Sequence, residues 1–329
     1  MTPLPLSPSP YPLSPPHGSA PRAFVALVLF SLRRQWRVRQ MGVVALGLLA
    51  VLAVTVAVLS HGPAGWGLES RWSFRFQCQI RDIPNLLDAA QMTPLPSESS
   101  ALTMALFAPF RAVLADPKFL SDWAFLNFSR WVVFTMHLGF YLPLVTLAYA
   151  SAGLGTDRES RTLIWLTTRP LPRWAIYLAK FLGGLPWCLA ASVGGFAVLC
   201  LCGGSLGLRA LAAYWPAVAG ATVAFAALFH LLGALVRRPA VVGLVYVFFF
   251  ESLVANLPGS LKQLSLNYYA RSLLYDAAAG QIDALAPASL DVYAPADPTT
   301  AWLTLLAAAV VLTVAGMALF GRQEVSDQE

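Results

Sequence analysis

The sequence predicts an all-α integral membrane protein of about six transmembrane helices, with an N-terminal interfacial helix and a cytoplasmic coupling helix, and three observations predict it. Hydrophobic residues make up 57% of the chain and charged residues 12%, against about 25% charged in an average soluble domain. The mean hydropathy is +0.64, which excludes a soluble fold. The apolar residues also fall in blocks of roughly 20, the length at which a helix rising about 1.5 Å per residue crosses about 30 Å of hydrocarbon. Those blocks run without the alternation of a barrel strand, and a helix satisfies its backbone amides within itself.

The elements follow in order. Residues 1–21 hold eight prolines among Ser, Leu and Tyr, a composition that buries no core and predicts an extended, disordered tail rather than a signal peptide. Residues 22–40 predict an interfacial amphipathic helix, in which Ala23 to Leu32 is apolar and Arg33, Arg34, Arg37 and Arg39 follow with Trp36 among them. The spans are predicted at 41–60, 131–152, 181–205, 212–236, 239–257 and 300–320, with a cytoplasmic tail at 321–329. Turn signals separate them: His61-Gly62-Pro63, Gly203-Gly204, Arg237-Arg238-Pro239 and Leu257-Pro258-Gly259. Two long outer segments remain, 61–130 and 258–299. In the first, residues 101–115 are apolar but carry Pro109 and Arg111, so they predict an amphipathic piece on the membrane or on the other helices. In the second, Asn267-Tyr268-Tyr269 forms an aromatic start suited to re-entering the membrane from outside.

Orientation follows from the basic residues, which favour the cytoplasmic loops. With the N-terminus inside, the inner segments hold Arg22, Arg33, Arg34, Arg37, Arg39, Arg158, Arg161, Arg169, Arg173, Lys180, Arg237, Arg238 and Arg322. The two later outer loops hold Arg209, Lys262 and Arg271. Both termini are therefore expected in the cytoplasm, with the chain multi-pass in the inner (plasma) membrane.

Several chemistries are excluded. The formal charge of +6 sits beside the hydrophobic blocks, so the basic residues set topology and no nucleic-acid partner is expected. Lys118, Lys180 and Lys262 are the lysines, and no Gly precedes any of them, so the chain has no P-loop. Neither H-E-x-x-H, G-x-S-x-G nor a zinc-like spacing occurs. Cys188, Cys200 and Cys202 share one apolar block, where they read as small hydrophobic filler, and Cys78 lies on a loop. No metal site is expected.

One segment carries a specific signal. Between the second and third predicted spans the chain reads Gly155-Thr156-Asp157-Arg158-Glu159-Ser160-Arg161-Thr162-Leu163-Ile164-Trp165-Leu166-Thr167-Thr168-Arg169-Pro170-Leu171-Pro172-Arg173. Thr156 followed three residues later by Glu159 predicts a capping box, and Asp157 and Glu159 complement the positive end of a helix dipole. Pro170 disfavours helix in the residue before it. A short cytoplasmic helix opening at Asp157 is thus expected, with Leu163 and Leu166 on one side and Arg158 and Arg161 on another.

The order Glu159-x-x-Thr162-Leu163-x-x-Leu166-x-x-x-Pro170-x-x-Arg173, with Lys180 beyond it, resembles the second-to-third-span loop of the ABC-2 type permease family. The six-span layout, the interfacial helix and the long segment before the last span are similar to that family too. The chain departs from its usual pattern at Arg161 and Ala179, where glycines are common, and in its longer first outer segment. The resemblance implies a permease subunit of an ATP-driven transporter, more often an exporter. It implies that Asp157, Arg158, Glu159, Arg161, Thr162, Leu163, Trp165 and Arg173 meet a separate ABC ATPase subunit, with the lipid bilayer and a second permease subunit, in a homodimer or heterodimer, as further partners. No cofactor is then expected on this chain itself, ATP and Mg belonging to the partner ATPase. The chain is not expected to be an enzyme.

His137, His230 and Glu251 lie in the second, fourth and fifth predicted spans. Ionisable groups at membrane depth are costly and suggest function by default, so these three form a candidate intramembrane polar site, with Tyr246 close to Glu251. Helix-to-helix hydrogen bonding is the plainer alternative. Two rival readings follow: a membrane anchor or force-transmitting subunit that transports nothing, and an intramembrane enzyme using these three residues.

Overall fold

The computed structural model describes residues 20–36, 39–61, 66, 117–159, 172–236, 238–254, 260–281 and 295–322. Every element among them is helical, and the chain is an all-α membrane protein. Helix α1 is Ala20–Trp36 and α2 is Arg39–His61. Helix α3 runs continuously through Pro117–Phe128, a π-helical stretch Ser129–Tyr141, and Leu142–Glu159. Then come α4, Arg173–Cys202, and α5, Gly204–Leu235. Helix α6 joins Pro239–Val245 to a π-helical Tyr246–Val254. A 3-10 turn, Ser260–Leu264, leads to α7, Leu266–Ala279, and α8 is Pro298–Arg322.

Five described helices are long and apolar enough to cross a membrane: Gly42–His61, Ser121–Gly153, Arg173–Cys202, Gly204–Leu235 and Pro298–Arg322. Side-chain size decides which of them is central. Helix α5 is rich in alanine, and Ala217, Ala221, Ala224, Ala226 and Ala227 let neighbouring helices approach closely. It packs on α3, α4, α7 and α8, and 67% of its apolar window is buried. Helix α2 is built instead of Val and Leu, only 11% of its window is buried, and Val43, Val44, Leu46, Val51, Val54 and Val58 face outward, as lipid contact requires.

The structure moves several predicted boundaries. The second span begins at Ser121 instead of 131, and Asp122 within it is buried against Arg209. The third begins at Arg173 instead of 181. No loop separates the third and fourth spans. Helix α4 ends at Cys202, Gly203 caps it, and Gly204, at φ +64°, turns the chain straight into α5. A side chain at Gly204 would be strained, and one at Gly207 would collide with the Cys200 carbonyl. Arg209, expected on an outer loop, therefore lies within α5. The fifth predicted span, 239–257, is described as far as Val254, and its apolar part, Pro239–Glu251, is shorter than the five long helices.

The π-helical part of α3 has a local cause. Pro143 brings no N–H, and its ring would meet the carbonyl four residues earlier. The wider winding before it hands the Leu142 N–H to the His137 carbonyl, five residues back. The Thr135 hydroxyl likewise donates to the Arg130 carbonyl at 2.9 Å.

Helix α1 docks on α4 rather than floating free. The Trp187 indole N–H donates to the Leu32 carbonyl at 2.9 Å. Leu27 shares a small core with Ile176, Tyr177, Ala179, Ala234 and Phe320. Val25, Leu29 and Phe30 on its other side are exposed, as on a helix lying at an interface. The predicted tail, 1–21, lies outside the described residues as far as 19, as do 67–116 of the first outer segment and 282–294 of the second.

Candidate functional site

The segment singled out in the sequence leaves the bundle from α3 and rejoins it at α4. Helix α3 carries on to Glu159. Thr156 therefore sits inside that helix and not at an N-cap, and the expected helix start at Asp157 is replaced by the continuation of the second span. The apolar run Leu142 to Leu154 already has helical momentum, and nothing after it interrupts the backbone before Glu159. Asp157, Arg158 and Glu159 form its last turn. Arg161, Thr162, Leu163 and Trp165 lie outside the described residues. Arg173, half-buried, opens α4, where Pro172 is extended (φ −64°, ψ 143°) and its carbonyl accepts from the amides of Ala175 and Ile176. Trp174 beside it is exposed, the placement of an interfacial anchor.

The two roots of this segment meet at one imidazole. His230 of α5 is buried, with Nδ1 3.2 Å from the Ala150 carbonyl on α3 and Nε2 3.4 Å from the Tyr177 carbonyl on α4. The rings of Tyr177 and Phe181 pack on it with centroids at 4.7 and 5.5 Å. One turn on, Gly233 brings α5 against the backbone of Ser151: a Cβ there would stand 3.1 Å from the Ser151 oxygen. Tyr177 also fits the notch left by Gly316 on α8 and packs on Phe320. An apolar crevice lined by Ala150, Phe181, Gly184, Cys188 and His230 runs beside the ring and leaves no room for a water molecule.

The three ionisable groups proposed as one intramembrane site are not joined. No hydrogen bond or ring contact links any two of them. His137, on the π-helical part of α3, is 3.0 Å from the Ser192 carbonyl through Nε2 and stacks near Tyr141 and Phe196. A carbonyl only accepts, so Nε2 carries the proton and Nδ1 is left buried without a partner. The Ser192 hydroxyl accepts from Thr222 of α5 at 2.8 Å, so α3, α4 and α5 are stitched together at this level.

Glu251 belongs to a different device. Its carboxylate accepts from the Tyr246 hydroxyl and the Ser265 hydroxyl, both at 2.5 Å, and from the amides of Leu266 and Asn267 at 3.3 and 3.0 Å. It therefore neutralises the first amides of α7, where unsatisfied donors and the helix dipole both favour an anion. The expected Tyr246–Glu251 pairing is present. Ser265 is the N-cap and accepts from the Tyr268 amide. Leu273 and Leu274 of α7 then continue through the core, and Gln281 just beyond reaches Arg209.

Sequence reasoning missed Tyr177, Ser192, Thr222, Ser265 and the Asp122–Arg209 pair. Ser265 had a signal, a hydroxyl residue directly before an apolar helical run. The others act through tertiary contacts between distant segments and leave none.

All the residues just described on α3 to α6 fall in one stretch. Residues 99–257 match the model of a family described as ABC-2 family transporter protein. Over that stretch the chain is similar to the ABC-2 transporter family. No curated protein matches it. Proteins of that family are membrane transport components, generally not catalytic themselves. The family also implies association with an ABC ATPase.

Proposed function

We propose that this chain is an ABC-2 permease, the membrane-spanning subunit of an exporter, driven by a separate ATPase that docks on residues 157–173. The observation that supports it is the rooting of that segment. Its flanks, α3 and α4, meet at His230, so a push on the segment reaches three helices together. Asp157, Arg158, Glu159, Arg161 and Arg173 supply the polar contacts to the ATPase, Thr162 stands among them, and Leu163 and Trp165 supply the apolar ones. ATP and Mg are bound by the ATPase alone. A differential contact energy between its open and closed forms drives the change. On this reading the His230 end of the bundle, both termini and α1 are cytoplasmic, the Arg209 end is extracytoplasmic, and a second permease subunit completes the pathway in the inner membrane.

The test is affinity purification of the tagged protein from mild detergent, beside a variant with residues 157–173 replaced by a neutral linker. A P-loop ATPase is expected with the wild type and not with the replacement. Its absence from the wild type under every gentle condition would overturn the reading. Glu159→Ala is expected to leave insertion and ATPase association intact while ATP hydrolysis no longer drives transport. Unchanged transport in that variant would remove Glu159 from the coupling role.

A further inference from the structure

We infer that α1 is a binding element for anionic phospholipid headgroups on its own side of the membrane, and that through α1 those lipids hold the first turns of α4. The lipid contact is a property of this chain alone. Its consequence for transport rests on the coupling role proposed for residues 157–173.

Helix α1 has two unlike faces. On one, Leu27 and Ser31 are buried. The other carries Arg22, Val25, Ala26, Leu29, Phe30 and Arg33, all exposed and spaced three and four apart, so they form one stripe along the helix. The middle of the stripe is apolar and an arginine stands at each end, the two about 16 Å apart along the axis. Water suits the ends and not the middle, hydrocarbon the middle and not the ends. A helix lying at the headgroup boundary satisfies both, with Val25, Leu29 and Phe30 among acyl chains and the guanidinium groups raised to the phosphates. Helix α2 follows at Arg39 and its apolar window opens at Gly42, which keeps the end of α1 within a few residues of the hydrocarbon.

Charge selects the headgroup. Among the described residues no acidic side chain pairs with Arg22 or Arg33. The sequence adds Arg34, Arg37 and Arg39 before the α2 window, and no Asp or Glu precedes Glu69. Each arginine near an anionic surface adds about a fivefold preference for it. A free phosphate would meet an arginine but leave the apolar stripe in water, so the ligand is a lipid.

Helix α1 is joined to α4 along its other face. The Trp187 indole N–H donates to the Leu32 carbonyl. A Cβ on Gly183 would stand 2.6 Å from the Ser31 Cβ and 3.0 Å from the Val28 carbonyl oxygen, so the two backbones cross in contact. Leu27 packs with Ile176, Tyr177 and Ala179. The first turns of α4 and α1 are therefore one packed unit, and a lipid that holds α1 holds α4 where the 157–173 segment enters it.

Hydrogen exchange on the full chain in nanodiscs tests the lipid contact without any partner. Discs of phosphatidylcholine are compared with discs that also contain phosphatidylglycerol. The anionic lipid is expected to slow wild-type exchange at residues 22–33 about five- to tenfold, and that at 173–183 about twofold or more, with the Arg209 end of α5 unchanged. Arg22→Gln with Arg33→Gln is expected to lose most of the slowing while matching the wild type in phosphatidylcholine alone. Arg22→Lys with Arg33→Lys, which keeps the charges, is expected to retain it. Equal wild-type exchange in the two discs would overturn the lipid contact, and full slowing in the glutamine variant would overturn its assignment to this stripe. Slowing confined to α1 would overturn the hold on α4. Inorganic phosphate added to phosphatidylcholine discs is expected to change nothing, and slowing by phosphate alone would overturn the lipid as ligand. Phe320 near the end of α8 packs with Leu27, so the acidic residues that follow it, Glu324, Asp327 and Glu329, are the rival counter-charges. Removing residues 323–329 is expected to leave α1 exchange in phosphatidylcholine unchanged, and faster exchange would make the chain's own tail the occupant instead.

The last measurement uses the co-purified ATPase. Phosphatidylglycerol is expected to raise its ATP hydrolysis with the wild type and not with the glutamine variant, which still binds it. Equal hydrolysis in the two lipids would overturn the consequence for coupling. If no ATPase binds the wild type, the proposed function fails and the exchange measurements still judge the lipid contact.

Discussion

The two ends of α5 are fastened by different means. At the Arg209 end the joint is made of long side chains: the guanidinium reaches Asp122 at 3.3 Å, lies 4.5 Å over the Phe125 ring and donates to Gln281 at 3.3 Å. About 30 Å further along the helix, at the His230 end, the joint is made of backbone: two carbonyls on one imidazole and a glycine against Ser151. An arginine follows its partner through a shift of an ångström or so by changing rotamer. A glycine packed on a carbonyl has nothing to adjust, so that contact is either made or lost. The difference teaches where discrete movement belongs, because packed interfaces switch between arrangements more readily than they deform.

Three substitutions break or sharpen this comparison. The largest effect is expected from Gly233→Val, whose branched side chain would be forced into the Ser151 backbone. A loss of about 3 kcal/mol in unfolding free energy in detergent is expected, as for overpacking a tight core, and a loss under about 1 kcal/mol would show that this joint yields. Glu251→Gln comes next. It keeps the shape but turns an amide N–H₂ toward groups that donate, so about 2 kcal/mol is expected, together with fraying of the α7 N-terminus by hydrogen exchange. Protection of residues 266–270 equal to wild type would remove Glu251 as the anchor of α7. The smallest is Asp122→Ala. The Arg209 side chain is 29% exposed, so water and the Phe125 face compensate, and about 1 kcal/mol is expected. A loss as large as that of Gly233→Val would erase the contrast between the ends.

Much of the fold was legible because lipid imposes a coarse rule. A run of apolar residues long enough to cross is a helix, and a turn at Gly203-Gly204 could be read from its composition, although the loop expected after it is absent. Boundaries were not, because Asp122 and Arg209 look aqueous one at a time, and it is their pairing that lets Asp122 be buried. The role of Glu251 was hidden for the same kind of reason. It holds the start of α7 through Ser265, a partner 14 residues away that no periodicity announces. His137, His230 and Glu251 stand out in the sequence because charge-capable groups rarely enter such helices. Sequence had no means of showing that their partners were backbone groups and hydroxyls instead of one another. At the coupling segment, Thr156 and Glu159 have the spacing of a cap, yet the preceding apolar run carries helix straight through them.

The short apolar part of α6 has a consequence for the bilayer around it. From Pro239 to Glu251 that part spans about 20 Å, where the hydrocarbon is about 30 Å thick. Its outward face, with Val241, Leu244, Val245, Phe248 and Phe249, is exposed all along that length. Acyl chains lying against this face must end early or tilt, so the leaflet thins beside α6 at a cost of fractions of a kcal/mol per Å. Lipids with shorter tails are favoured there, and the thickness of the host membrane thereby becomes a force on the helix that carries Glu251.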